Sequence, residues 1–479
     1  MFRLPASHLW ATGSAFRHFT LNAHRAAYTP LRIHVRHASQ SSKAPAVLPP
    51  HSKLPLKVLL RSLLVSTISS NSFLLTPALG VLKFLNDSPR FWVFNVEKNP
   101  LLHGLMKNTM YNHFCAGENE AEVTSTISEI KRMGFRGAIL TYAREIVVDN
   151  RTEEEVGKGL VESKKEIEVE KDSSIEAWRE EVLTTVEMVG KGDILALKVT
   201  FKLTGAGPAV SETLSSGKPL PKQMAEALAE VCSRAVERKA RIFVDAEQIK
   251  VQPGIDAVAL DLMRQFNTNG RGAVVYNTYQ AYLKDTPDVL AKHMEISNND
   301  NSVLGVKLVR GAYISSEPRQ LINDTKEDTD DSYNSVASGL LSQRYRDFGK
   351  GGGAKFPELE LFLATHNKQS VLAANELQQS RVEMGQPLTK IQYGQFLGMA
   401  DEVSFGLLQL ADITVKEKGA KGMAPMEVYK CLSWGSLGDC LSYLLRRAVE
   451  NRDAVSRTKS EFKALKTEVW RRLKSTVSS

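Results

Sequence analysis

No Asp or Glu precedes Asp87, although ten Lys or Arg residues do. Beyond that acid-free leader, 52 of the 62 basic residues face 54 acidic ones, so the rest of the chain is nearly neutral. A nucleic-acid-binding domain concentrates its positive charge on a folded face, and this distribution argues against one. Residues 1–42 combine Arg3, Arg17, Arg25, Arg32 and Arg36 with Ser, Thr, Ala and bulky apolar residues. That is the composition of a mitochondrial transit peptide.

Cysteine is scarce as well. Cys115, Cys232, Cys431 and Cys440 show no paired metal-ligand spacing and are too few for a disulfide framework, which fits a reduced matrix compartment. Six of the ten histidines lie in the first 51 residues, leaving His103, His113, His293 and His366. No metal site is expected, and a catalytic zinc or a His-led triad is disfavoured. An uninterrupted apolar span is missing too: residues 58–82 are broken by Arg61, Pro77 and the serines from Ser66 to Ser72. They suit a helix on a membrane surface or on the core better than a spanning one. The basic segment from Phe462 to Lys474 is a second candidate for contact with anionic lipid.

No internal repeat is visible, and the one low-complexity run, Lys350 to Gly353, reads as a loop. The Glu- and Lys-rich stretch from Arg151 to Lys171 reads as a solvated helix or a flexible insertion. Around it, short apolar or β-branched runs alternate with longer amphipathic segments. The runs are 137–142, 194–201, 241–245, 273–279, 305–309, 360–364, 391–396 and 427–431. Parallel strands joined by helical crossovers give this alternation, and eight units favour a closed α/β barrel of the (β/α)8 type. The expected organisation is a leader over 1–42, an N-terminal helical region with the first strand over 43–190, and the barrel over 191–479.

Such barrels gather their site at the C-terminal ends of the strands. Lys198 lies in the second run, Asp245-Ala246-Glu247 ends the third and Gln280 follows the fourth. Arg310-Gly311-Ala312-Tyr313 closes the fifth, and Thr365-His366-Asn367 closes the sixth. Near the C-terminus, helical spacing puts Tyr443, Arg446, Arg447 and Glu450 on one arc and Leu444, Leu445, Ala448 and Val449 on the other. Paired guanidiniums beside a phenol suit a small carboxylate, because Arg offers a planar fork of donors and keeps its charge. Arg446 and Glu450 are spaced to pair. A helix placed after the eighth strand is free to lie across the barrel mouth.

In this order, the pieces resemble the proline dehydrogenase family over roughly residues 110–455. The carriers are Phe114 to Glu118, Gly137 to Ala143, Ile322 to Thr325, Thr329 to Asn334 and, above all, Val309 to Tyr313, Ala364 to Asn367 and Tyr443 to Asn451. The resemblance implies a distorted TIM-like barrel that carries FAD and removes a hydride from C5 of L-proline, giving Δ1-pyrroline-5-carboxylate. In the mitochondrial branch, ubiquinone reoxidises the flavin, which places the enzyme peripherally on the matrix side of the inner membrane.

Residue by residue, Arg446 and Arg447 match the pair that binds the proline carboxylate. Lys198 matches a strand lysine near it, and Tyr443 an aromatic that shapes the pocket, with Glu450 on the same face. The substrate ring is expected to pack on Tyr443 and Leu308. Asp245 matches an essential acid, expected to position the polar network and not to abstract a proton. Ala246, Gln280, Lys307, Arg310, Gly311, Ala312, Thr365 and His366 match flavin contacts. The Lys307 cation is suited to stabilising a reduced flavin, and Gly311 to close approach of backbone.

Two departures stand out. Many relatives exchange the types at 307 and 310, with Arg at the first and Lys at the second, and the two are not equivalent. Cys431 stands where many relatives carry a tyrosine that separates proline from hydroxyproline. The rivals are therefore a hydroxyproline dehydrogenase, an aldolase-like barrel with a Schiff base at Lys198 or Lys307, and a non-catalytic barrel acting as an inner-membrane scaffold.

Overall fold

The computed structural model describes residues 48–87, 92–143, 172–197, 206–268, 270–419, 422, 424–453 and 455–477. The expected leader, the stretch from Arg151 to Lys171 and Lys198 lie outside these residues. Eight parallel strands close a barrel in sequence order: β1 (Gly137–Tyr142), β2 (Ile194–Leu197), β3 (Arg241–Val244), β4 (Val275–Gln280), β5 (Leu304–Val309), β6 (Leu359–Ala364), β7 (Lys390–Phe396) and β8 (Glu427–Trp434).

Each of the eight expected runs holds a strand, and the limit of one is informative. β8 runs three residues beyond Cys431 because Leu432, Ser433 and Trp434 pair with Leu140, Thr141 and Tyr142 of β1. That pairing closes the barrel and supplies what the weak strand propensity of these two segments lacks. β1 is bonded to both β2 and β8 and so belongs to the barrel.

Strand alternation sorts the side chains. Leu304, Val306 and Leu308 of β5 enter the large apolar layer beneath the outer helices. The lumen is filled by aromatics: Phe243 lies edge-on to Phe362 at 4.7 Å and to Tyr276 at 5.3 Å, and Phe362 meets Tyr429 at 5.6 Å. Below them, at the N-terminal ends of the strands, the Tyr276 hydroxyl donates to Glu360 at 2.6 Å, and Arg241 lies 3.6 Å from Glu427 and 3.9 Å from Glu360. This floor of paired charges and stacked rings leaves the opposite end as the place for a ligand.

The first two of the helices that precede the barrel are α1 (Leu56–Ser69) and α2 (Ser72–Asp87), with a bend of 99° between them. Among the described residues no single helix is long and apolar enough to cross a membrane. Leu82 and Leu85 of α2 share one apolar cluster with Leu437, Leu441 and Leu444 of the closing helix, Leu437–Asp453. Ser442 Oγ adds a 3.0 Å hydrogen bond to Asn86 Oδ1. A C-terminal helix, Val455–Val477, packs along α1, and its Arg472 donates to the carbonyls of His51, Ser52 and Leu54.

Candidate active site

At the C-terminal end of the barrel, inward parity carries Asp245, Gln280, Lys307, Phe396 and Cys431 to the lumen mouth. Lys307 Nζ lies 2.6 Å from Asp245 Oδ1 and 5.1 Å from the centre of the Phe243 ring. The ring seats the lysine stem and its quadrupole favours the cation. Adjacent positions on a strand point oppositely, so Leu308 cannot join Lys307. It is wholly buried in the outer layer, and its expected contact with a substrate ring is corrected.

Arg310 follows β5 and is tethered by three side chains. Its Nε donates to Asp330 at 2.5 Å, Nη1 to Thr365 Oγ1 at 2.7 Å and Nη2 to Ser370 Oγ at 3.0 Å, with the guanidinium 4.3 Å from the Tyr333 ring. Burial alone would raise the Asp330 carboxyl, but hydrogen bonds from Lys326 and Arg310 outweigh it and hold it below its ordinary value. A planar fork serves three partners at once where a lysine would not. Gly311 has φ +141°, and a Cβ there would fall 2.1 Å from the Tyr282 ring. The fifth strand end thus requires glycine for its own packing. Gln280 ties two strand ends together, its amide donating to the Glu247 carbonyl at 3.0 Å and accepting from the Ala312 N–H at 3.4 Å. Ala246 is drawn into the same rim, its carbonyl accepting from the Tyr313 hydroxyl at 3.3 Å.

The closing helix supplies the cover. Tyr443 and Arg447 are buried, and the Arg447 guanidinium lies 5.1 Å from the Tyr443 ring and 4.3 Å from that of Phe396. Burial raises the Tyr443 phenol above its ordinary value while the Arg447 charge opposes the rise. Arg446 is more exposed, with its charge near enough to act on Tyr313, whose hydroxyl donates to Glu247 Oε2 at 2.6 Å. Burial and Glu247 raise the Tyr313 phenol, and Arg446 opposes them. The two arginines therefore approach the mouth from one helix at different depths. The Glu450 side chain lies outside what the structure describes.

Phe396, which the sequence did not single out, connects these parts. Its N–H donates to His366 Nε2 at 3.1 Å, which requires that nitrogen to be unprotonated, and its ring meets the imidazole edge-on at 5.7 Å. Its carbonyl, with that of Met399, accepts from Lys430, whose ammonium pairs with Asp401 at 2.6 Å in full burial. Burial would raise Asp401, but Lys430 outweighs it and lowers its pKa. Cys431 is half-buried in the lumen and close enough to Tyr443 to influence its phenol. Glu247, Asp330 and Ser370 were likewise not picked out as partners. Their separations in sequence from the groups they hold gave no local signal.

Comparison with known proteins is consistent with this arrangement. The family model described as Proline dehydrogenase matches residues 123–460. The chain is 28% identical to a probable mitochondrial proline dehydrogenase of Schizosaccharomyces pombe, covering 84% of this chain and 85% of that one. It is 30% identical to the mitochondrial proline dehydrogenase 2 of Arabidopsis thaliana, covering 77% and 79%. A Homo sapiens hydroxyproline dehydrogenase matches at 26% over 80% of this chain and 85% of that one. Among solved structures, proline utilization A from Bdellovibrio bacteriovorus, inactivated by N-propargylglycine, superposes with a TM-score of 0.56 at 16% identity. That match covers 81% of this chain and 38% of the larger protein, and shows the shared barrel fold.

Proposed function

The chain belongs to the proline dehydrogenase family, and on that premise we propose that it oxidises L-proline to Δ1-pyrroline-5-carboxylate on the matrix face of the inner mitochondrial membrane. FAD would supply the chemistry, taking a hydride from C5 at its N5, with ubiquinone as the final acceptor. The observation that carries the reading is the buried Arg447 guanidinium held between the Phe396 and Tyr443 rings at the barrel mouth.

Support for a flavin comes from the donor set. Lys307 has three ammonium protons and one carboxylate partner at 2.6 Å, in a lumen floored by aromatic rings, so donors remain for a cofactor edge. The loop that begins at Arg310 is braced by Asp330, Thr365 and Ser370, which makes a firm wall beside it.

The chain's own part is mostly orientation. Arg447, with Arg446 nearer solvent, binds the carboxylate and fixes which ring carbon points down the barrel; Lys198 is the expected third cation. Asp245 positions Lys307. Held in this way, the reacting atoms meet without the entropy loss of a bimolecular encounter. Hydride departure from C5 needs the nitrogen lone pair, so the substrate ammonium must first lose its proton, and the rate should rise with pH.

The half-buried Cys431 beside Tyr443 favours one second reading, oxidation of hydroxyproline, because cysteine leaves room that a tyrosine would fill. Absorbance of the purified chain before and after anaerobic addition of each amino acid tests both readings. Flavin bands bleached by L-proline are expected. Bands bleached by hydroxyproline alone would transfer the assignment, and a colourless protein that FAD cannot reconstitute would defeat it.

A further inference from the structure

The helix α2 is apolar on both sides. Leu75, Leu82 and Leu85 are buried on the inner side, two of them against the closing helix. On the outer side Phe73, Val81 and Phe84 recur at helical spacing and are exposed, Phe73 to 88%. The Phe84 ring meets Phe94 edge-on at 5.0 Å, which carries the exposed apolar surface into the turn Trp92–Phe94, where Trp92 is 62% exposed. A helix apolar all round is covered on both sides in its working state, and monomers seldom leave a surface of this kind open to water.

Charge indicates what covers it. No Asp or Glu lies between Leu56 and Asn86, while Lys57 and Lys83 are exposed there. The C-terminal helix, packed along α1, exposes Lys463, Lys466, Trp470, Leu473 and Lys474 on one face. Its acids point elsewhere: Glu468 is buried between Arg471 and Arg472, and Glu461 reaches His51 at 2.8 Å. A second copy would bring lysines against lysines. A bilayer with anionic headgroups meets the lysines with opposite charge and takes the Phe and Trp side chains into its acyl boundary.

We propose that α2, the Trp92–Phe94 turn and the C-terminal helix form the surface on which this protein docks to an anionic phospholipid bilayer. Because α2 backs the helix that carries Tyr443, Arg446 and Arg447, docking sets the barrel mouth beside the lipid in which a quinone dissolves. That last consequence rests on the quinone-linked reading above; the docking itself does not.

The test is co-sedimentation of the full flavin-loaded chain with phosphatidylcholine vesicles, with and without phosphatidylglycerol. Binding should require the anionic lipid and weaken with added salt. The double variant F73D/F84D should bind roughly tenfold more weakly or worse, and K466E/K474E should lose the preference for phosphatidylglycerol. Both should keep wild-type proline oxidation with a soluble dye acceptor, which checks their folding. Unchanged vesicle binding by F73D/F84D would overturn the proposal. So would a lipid-free dimer, seen by light scattering, that F73D/F84D abolishes. Vesicle binding of the expected kind by a chain inert towards proline would uphold the surface and defeat the enzymatic reading.

Discussion

The Arg447 guanidinium lies 4.3 Å from the centre of the Phe396 ring, joining a helix at the end of the barrel to the last residue of β7. A desolvated cation over an aromatic face is stabilised by about 2 kcal/mol, and the flat ring also sets the plane in which the guanidinium presents its donors. The same Phe396 fixes His366 through its N–H. The proposed carboxylate site and a proposed flavin contact thus share one support.

Replacing Phe396 by Ala should raise the proline KM by about tenfold with a smaller change in kcat, since the carboxylate anchor loosens while the reacting ring still reaches its place. Phe396→Tyr, which keeps the ring, should stay near wild type. Removing the charge itself in Arg447→Met should cost on the order of a hundredfold in kcat/KM. Steady-state kinetics on the three variants decide it; an Ala variant with an unaltered KM would show that the ring is only filler.

Asp245 and Lys307 form a partly exposed pair, so the expected effect of breaking it is moderate. Asp245→Ala should lower kcat by about tenfold to a hundredfold, as should Lys307→Met. Because the acid acts through the lysine, the double variant should be no worse than Lys307→Met alone. Fully additive losses would give Asp245 an independent role.

Arg310→Lys keeps the charge and loses the fork. One ammonium cannot hold Asp330, Thr365 and Ser370 in the geometry now seen. The purified variant should retain several-fold less flavin per protein by absorbance, and added FAD should partly restore activity. Full flavin content would show that the wall does not depend on this residue.

Burial pushes the His113 imidazole down to about 4 from an ordinary 6.5. Unfolded chains therefore bind more protons than folded ones between these values. Stability should fall by about 3 kcal/mol as pH drops from 6.5 to 4 on this account, and be fully present above 6.5. His51 runs the other way: burial opposes its charge, but the hydrogen bond to Glu461 prevails and raises its pKa. Its contribution is present below 6.5 and lost as pH rises through the folded value. Denaturant melts of wild type and His113→Gln across this range should show a shallower acid decline in the variant.

Strand count, strand order and the polar strand ends were legible in the sequence because each is local. Parallel crossovers alternate with buried runs, and a barrel puts its polar residues where those runs stop. The arc of Tyr443 and Arg447 was legible too, as helical spacing alone brings them together. Tertiary structure alone decided the depth at which each side chain sits. Leu308 and Lys307 are neighbours in the chain and lie on opposite sides of the barrel wall. Arg446 and Arg447 have the same chemistry, yet one is exposed and the other is buried against Phe396. The weak strand at Glu427–Trp434 exists because it has Gly137–Tyr142 to pair with, nearly three hundred residues away. Partners such as Arg310 and Asp330, or Lys430 and Asp401, meet only because the closed barrel brings the ends of distant segments into contact, a constraint no window of sequence contains.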